Sequence, residues 1–443
     1  MIKLAKKLNK GLYRYVLNTI WLFVEYTLRV IAGIFISVLV ARYLGPERFG
    51  IYSYVISFVA LFSPIAKLGL DEIVIRNIVS DKNMAQTYLG TTFWLKAVSS
   101  TLILSFIIVF GQTSYIDKKV TIYLYIIAFS SIFQSFEVVD FFFQSQVNSK
   151  LVCICKIIQL SISSVLKVYL VYMNAPLIYF VFICLIDQFT LAISYIIVYL
   201  YSVKDHFFKS FGFQIAIDML KDSWPLILSG MAIIVYMKVD QIMIKAIIND
   251  KAVGLYAAGI RIIEALYFVP VLITNSLFPA IINAKKQSES LFINRLRLLL
   301  LFMVWSNIII IMPMVLQPEW IISLLFGNEY IESSIVLAVY AWLLIFISIG
   351  IVSSKWLLTE NIQIFTLTRA LFGMIVNIIL NLTWIPKYGI QGAAYASLVS
   401  QICATYLGYL FSTKTIKIFI LQTEALFPIL SMYNYFFKKN NNY

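Results

Sequence analysis

Apolar runs long enough to cross a bilayer recur twelve times along the chain, at about 16–41, 49–70, 88–111, 120–143, 151–173 and 177–201, then 223–247, 254–283, 296–316, 334–358, 364–385 and 390–411. A polar connection, 202–222, with Lys204, Asp205, His206, Lys209, Asp218, Lys221 and Asp222 separates the first six runs from the last six. The pattern predicts an all-α polytopic membrane protein of about twelve spanning helices in two six-helix halves, 16–201 and 223–411. A β-barrel does not fit, because its strands are about ten residues long and alternate in polarity. An even number of helices per half gives both halves the same orientation. A parallel repeat about an axis along the membrane normal is therefore expected, with a binding site between the halves. The repeat has an echo in the sequence: a shift of 204 residues lays Gly254 on Gly50 and Tyr256 on Tyr52, each opening a helix after a short polar turn.

Residues 1–15 are basic and amphipathic, with Lys3, Lys6, Lys7, Lys10 and Arg14, and fit an anionic membrane surface. No removable signal peptide is expected, since the first apolar run has full spanning length. The tail 412–443 contains an apolar stretch, Ile416–Phe437, interrupted by Thr423, Glu424 and Pro428, which predicts an interfacial segment and not a thirteenth span. With the N-terminus inside, 21 of the 35 Lys and Arg residues fall on the cytoplasmic side and six on the outer side. That bias predicts cytoplasmic termini and an outward loop at about 317–333.

Composition sharpens this picture. Hydrophobic residues make up 61% of the chain and charged ones 13%, about half the share in soluble domains. Charges inside the spans therefore stand out. Lys238 and Lys245 share a helix face with Gln241 close beside them, Asp240 lies in the same stretch, and Gly254, Ala257, Ala258, Arg261, Glu264 and Ala265 share another face. Such a face suits a water-filled cavity or a tight helix contact. Glu25 and Arg29 lie one turn apart and could pair. Ser130, Gln134, Glu137, Asp140 and Gln144 form one stripe, Lys156, Gln159, Ser163 and Lys167 another, and Asp187, Thr190 and Ser194 a third.

Lys67, Lys96, Lys245 and Arg369 fit pairing or snorkelling. Arg29, Lys238, Arg261, Lys156 and Lys167 are the candidate cavity cations, with Glu25 and Glu264 as coupling or gating carboxylates. Glu137 and Asp140 serve either a cytoplasmic gate or a structural contact. Basic residues outnumber acidic ones within the spans, which favours an anionic passenger.

Enzyme signatures are missing: there is no phosphate-cradling glycine loop and no metal-ligand cluster. The cysteines Cys153, Cys155, Cys184 and Cys403 all sit in apolar segments and read as packing residues. The tripeptide Asn381-Leu382-Thr383 matches a glycosylation sequon but lies within a span. Richness in Ile, Asn and Lys hints at an AT-rich bacterial genome.

Several segments in order resemble the polysaccharide (O-antigen type) flippases of the multidrug/oligosaccharidyl-lipid/polysaccharide (MOP) exporter superfamily. They are VARYLGPERFGIYSY at Val40–Tyr54, KLGLDEIVIR at Lys67–Arg76, DFFFQS at Asp140–Ser145, VDQIMI…VGLYAAGIRI, ISLLFGNEYIESS and NIILNLTWIPKYGIQGAAYAS. The third departs from the family pattern, with Ser145 and Gln146 in place of the usual Gly and Glu. The second motif adds Asp71 and Arg76 to the coupling or gating candidates.

The resemblance implies alternating access, a lipid-linked oligosaccharide on polyprenyl pyrophosphate as passenger, and coupling to H+ or Na+. It also implies residence in the bacterial cytoplasmic membrane among membrane lipids, no other cofactor, and work beside a polysaccharide polymerase and chain-length machinery, with no nucleic acid. An ion-coupled multidrug or cation exporter of the same superfamily is the alternative. A membrane polysaccharide polymerase or glycosyltransferase is the alternative from another class.

Overall fold

A computed structural model describes residues 10–113, 117–203, 206–360, 362 and 364–427. Seventeen α-helices follow one another among the described residues: α1 (Lys10–Ala60), α2 (Ser63–Lys67), α3 (Asp71–Ser80), α4 (Ala85–Thr113), α5 (Lys118–Ser130), α6 (Val138–Ser145), α7 (Lys150–Tyr172), α8 (Leu177–Val203), α9 (Phe213–Ile247), α10 (Asp250–Leu266), α11 (Phe268–Lys285), α12 (Glu289–Leu316), α13 (Pro318–Phe326), α14 (Ser333–Ala341), α15 (Leu343–Thr359), α16 (Ile364–Thr405) and α17 (Ile416–Leu426). Short 3-10 turns join several of them, at Ser131–Glu137, Phe207–Lys209, Asn328–Tyr330 and Leu407–Phe411.

Among the described residues, ten helical stretches are long and apolar enough to span. Two of them, Val16–Ala60 and Ile364–Phe411, run 45 and 48 residues, roughly twice what a bilayer takes. Each folds back at a glycine with positive φ, Gly45 (φ 68°) and Gly389 (φ 60°), beside Pro46 and Pro386. A left-handed residue there is cheap for glycine and costly for any side chain. Two hairpins plus eight single spans give the twelve expected: this is an all-α multi-pass membrane protein.

Caps mark the turns. Asp117, Asn249 and Ser288 each accept a backbone N–H of the helix they open, from Lys119, Ala252 and Leu291.

The chain divides into two compact units, Met1–Ile234 and Val235–Tyr443. In the first, α1 packs on α5 and α7, and α7 on α8. The connector after α8 is strapped to α4: Gly212 N–H donates to Thr91 Oγ1 (3.0 Å), and Trp94 Nε1–H donates to the Phe208 carbonyl (2.9 Å). Gly90 makes that approach possible, since a Cβ there would sit 2.1 Å from the Ser210 carbonyl oxygen. Helix α9 begins inside the stretch expected to be a linker. Ala216, Met219 and Ser223 bury one face while Asp218, Lys221 and Asp222 stay exposed, a period that average hydropathy hides.

In the second unit α10 packs on α14, α12 on α11, α15 and α17, and α16 on α14 and α15. Helix α17 has 11 residues, about 17 Å, too short to span. It lies against the start of α12 through Lys417–Glu289 (2.7 Å) and Arg297–Glu424 (2.8 Å). Lys3, Lys6 and Lys7 of the basic segment, and 428–437 of the apolar tail, lie outside the described residues.

Candidate functional site

The first unit matches its buried charges one by one. The Glu25 carboxylate is buried and accepts from Arg29 Nε (2.7 Å), as their one-turn spacing allows. The stripe on the broken fourth span faces three lysines, on α7, α2 and α4. Asp140 takes Lys156 Nζ (2.7 Å) and Gln144 Nε2 (2.9 Å). Glu137 lies 3.3 Å from Lys67 Nζ and 3.7 Å from Lys96 Nζ. Lys96, with a side chain only 2% exposed, also donates to Asp71 (2.6 Å) and stands over the Phe141 ring at 4.5 Å.

The turn carrying Asp71 explains its motif. Leu68 and Gly69 both adopt positive φ between α2 and α3, and a Cβ on Gly69 would meet Leu226 Cβ at 2.9 Å. The same helix α3 then places Arg76 against Asp222 (2.7 Å), an exposed pair. Lys167 pairs with Asp187 (3.4 Å), whose same oxygen accepts from Ser163 Oγ (3.0 Å). Thus Arg29, Lys156 and Lys167 each face a carboxylate, and Glu137 and Asp140 each hold lysines.

The second unit gathers a different set. Lys238 Nζ meets Glu264 at 2.6 Å, and Arg261 approaches the other Glu264 oxygen at 4.0 Å from one turn away. Arg261 keeps 50% of its side chain exposed although it sits mid-helix in a span, whereas Glu264 keeps 15%. Gly254, Ala257 and Ala258 are buried in α10, and Gly259 shows what small residues do there. A Cβ on Gly259 would lie 2.8 Å from Val336 Cβ, so α10 and α14 touch backbone-close. Lys245 pairs with Asp250 (2.7 Å) across the turn. Arg369 donates to Ser354 Oγ (2.5 Å) and stands over the Tyr409 ring at 5.2 Å.

Sequence reasoning passed over the most unusual group. Asp240 is fully buried, and its partners among the described residues are all neutral: Tyr256 OH (2.7 Å), Asn381 Nδ2 (2.5 Å) and Ser397 Oγ. Asn381 also donates to Asn377 Oδ1 (3.0 Å), while its own Oδ1 is buried without a hydrogen-bond partner. A carboxylate with no cation beside an orphaned amide oxygen is costly in hydrocarbon surroundings. The available signal was Asn377 and Asn381, one turn apart in an apolar span. The sequon reading hid it.

A family described as "Polysaccharide biosynthesis protein" matches residues 15–285, more than half the chain. The capsular polysaccharide biosynthesis protein CapF of Staphylococcus aureus is 22% identical over 403 residues, covering 89% of this chain and 98% of that one. Among solved structures, an inward-facing multidrug resistance MATE family transporter of the MOP superfamily superposes with TM-score 0.67 at 13% identity, over 89% of this chain and 96% of that one. The lipid II flippase MurJ, in an inward closed conformation, gives 0.67 at 19% identity, over 94% and 92%. The fold is that of the MOP superfamily, and the chain belongs to the polysaccharide biosynthesis protein family.

Proposed function

We propose that the protein is a flippase that carries polyprenyl-pyrophosphate-linked oligosaccharide repeat units from the cytoplasmic to the outer leaflet by alternating access, for surface polysaccharide synthesis. It would do so in the bacterial cytoplasmic membrane with both termini inside, handing its passenger to polymerase and chain-length machinery. The observation that carries the reading is Arg261, half exposed within a span and sharing Glu264 with Lys238. A half-exposed guanidinium within a span offers a phosphate a bidentate partner. The prenyl tail can stay in lipid while the charged head crosses through a polar route, which avoids the cost of bare hydrocarbon. The family match supports the same reading.

The test is genetic and chemical. Deleting the gene in its host should abolish surface polysaccharide and leave lipid-linked repeat units on the cytoplasmic leaflet. Complementation with Arg261→Ala should fail at normal protein abundance. Arg261→Lys should restore part of the activity, because it returns the charge without the fork. A deletion strain with unchanged surface polysaccharide would overturn the reading.

Coupling to H+ or Na+ is the second part of the proposal, and Asp240 supports it. Carboxylate, amide and hydroxyl oxygens are what a hard cation takes as ligands, and a proton needs the carboxylate alone. Asp240, Asn381, Ser397 and Tyr256 would hold it, and the orphaned Asn381 oxygen gives the ion an acceptor with nothing else to do. A bound cation supplies the positive charge that this buried carboxylate otherwise lacks. The rest is done by the chain: the Tyr256 and Ser397 hydroxyls and the Asn381 amide fix the carboxylate, tying α9 to α10 and α16.

A further inference from the structure

The first unit holds a cavity of 280 Å³ between the second half of α1, α2, α4, the fourth span and α8. Its wall includes Phe62, Ser63, Gln134, Cys184, Asp187 and Gln188. Of the ion pairs described above, Lys167–Asp187 borders it through Asp187. We infer that this cavity is a subsite for one uncharged sugar ring of the passenger, an inference that rests on the flippase reading.

Three observations carry it. Asp187 divides its oxygens: Oδ2 faces Lys167 and Ser163, while Oδ1 is buried with no hydrogen-bond partner. Its charge is already answered by Lys167, so the idle oxygen calls for a neutral donor and not for a second cation. Gln134 and Gln188 come next, because neither spends its side-chain amide on a hydrogen bond among the described residues. Each offers both a donor and an acceptor, the pairing a ring with adjacent hydroxyls requires. Phe62 supplies an aromatic wall for the C–H face of a pyranose. Size is the third observation. Drug-sized ligands occupy pockets of about 300–1,000 Å³, so 280 Å³ suits a single ring.

Two other contents fit less well. An anionic sugar would bring its carboxylate against Asp187, a like charge in a low-dielectric site. A lipid chain would leave the Asp187, Gln134 and Gln188 polar groups facing hydrocarbon.

Cys184 lines the same cavity and serves as the reporter. In a Cys153→Ala/Cys155→Ala/Cys403→Ala background it is the sole thiol, and its modification by N-ethylmaleimide in the purified full chain can be timed. The probe is the neutral monosaccharide fraction of an acid hydrolysate of the host's own surface polysaccharide. The expected result is a severalfold slowing of Cys184 modification by that fraction, with the slowing lost in Gln134→Leu/Gln188→Leu. An unchanged rate in the presence of the hydrolysate, with the lining intact, overturns the subsite. So does equal slowing in the double variant. Binding is read here without transport, so failure of the flippase reading would show separately, as unchanged surface polysaccharide after gene deletion.

Discussion

Replacing Asp71 by Ala is expected to damage the protein more than replacing Lys96 by Met, although both break the same 2.6 Å contact. The reason is which partner is left behind. Lys96 is 2% exposed and Asp71 is 36% exposed. Without Asp71, a buried ammonium retains only Glu137 at 3.7 Å, a carboxylate it shares with Lys67 at 3.3 Å. Breaking a buried pair from that side costs about 3–5 kcal/mol. Without Lys96, a methionine of similar length fills the space over Phe141, and the abandoned Asp71 can turn toward water. That change should cost about 1–3 kcal/mol, the range for losing a satisfied polar contact.

The expected gap of about 2 kcal/mol is a roughly thirtyfold difference in the folding equilibrium. Denaturant titration of the purified variants in a fixed detergent, followed by protease resistance, would measure it. Lys96→Met proving as destabilising as Asp71→Ala, or more so, would refute the reasoning. It would mean that the lysine acts through packing and that the exposed carboxylate carries little.

Further outcomes follow from the same contacts. Glu25→Gln and Arg29→Gln should each impair transport, and the double variant should be milder than the sum, because their 2.7 Å bond makes them one unit; additive losses in a polysaccharide-export assay would separate them. Asp240→Asn should preserve protein abundance yet remove the dependence of export on H+ or Na+, and unchanged ion dependence in vesicles would exclude Asp240 from coupling. Gly90→Ala should lower membrane abundance by an overpacking cost of about 1–3 kcal/mol, since its new Cβ meets the backbone carbonyls of Phe207 and Ser210; normal thermal stability would contradict the strap between α4 and the connector. Asn328→Cys in a background lacking native cysteines should be labelled from outside intact cells, and labelling only after inner-face exposure would reverse the topology.

The membrane spans were legible in the sequence because hydropathy and helix length are local properties. Even the two hairpins were legible, since short polar turns part the apolar runs 16–41 from 49–70 and 364–385 from 390–411, where Gly45-Pro46 and Pro386–Gly389 lie. The stripes around Gln134, Glu137, Asp140, Lys156, Lys167 and Asp187 were legible as faces, through the 3.6-residue period. Their pairing was not, because a period says which side of a helix is polar and nothing about which helix lies opposite. Lys156 and Lys167 accordingly read as cavity cations, whereas each meets a carboxylate from another helix at 2.7 and 3.4 Å.

The same limit concealed the surroundings of Asp240, whose partners Asn381 and Ser397 lie 141 and 157 residues away. Helix α9 begins ten residues early, within 202–222, because its first turns are amphipathic and an averaged window scores them as polar. The fourth span breaks into a 3-10 turn at Ser131–Glu137, where Ser131 and Ser135 bond back to the carbonyls of Ala128 and Ile132. Such back-bonding bends helices, and an apolar average does not register it.

The most direct test of the central claim is reconstitution. Purified protein would be placed in liposomes carrying the host's polyprenyl-pyrophosphate-linked repeat unit, and the arrival of that glycan in the opposite leaflet timed by a membrane-impermeant glycosidase. The account predicts that the wild-type chain accelerates glycan exposure well above protein-free liposomes, and that Arg261→Ala returns the rate to that background. Equal rates with and without the wild-type protein would contradict it.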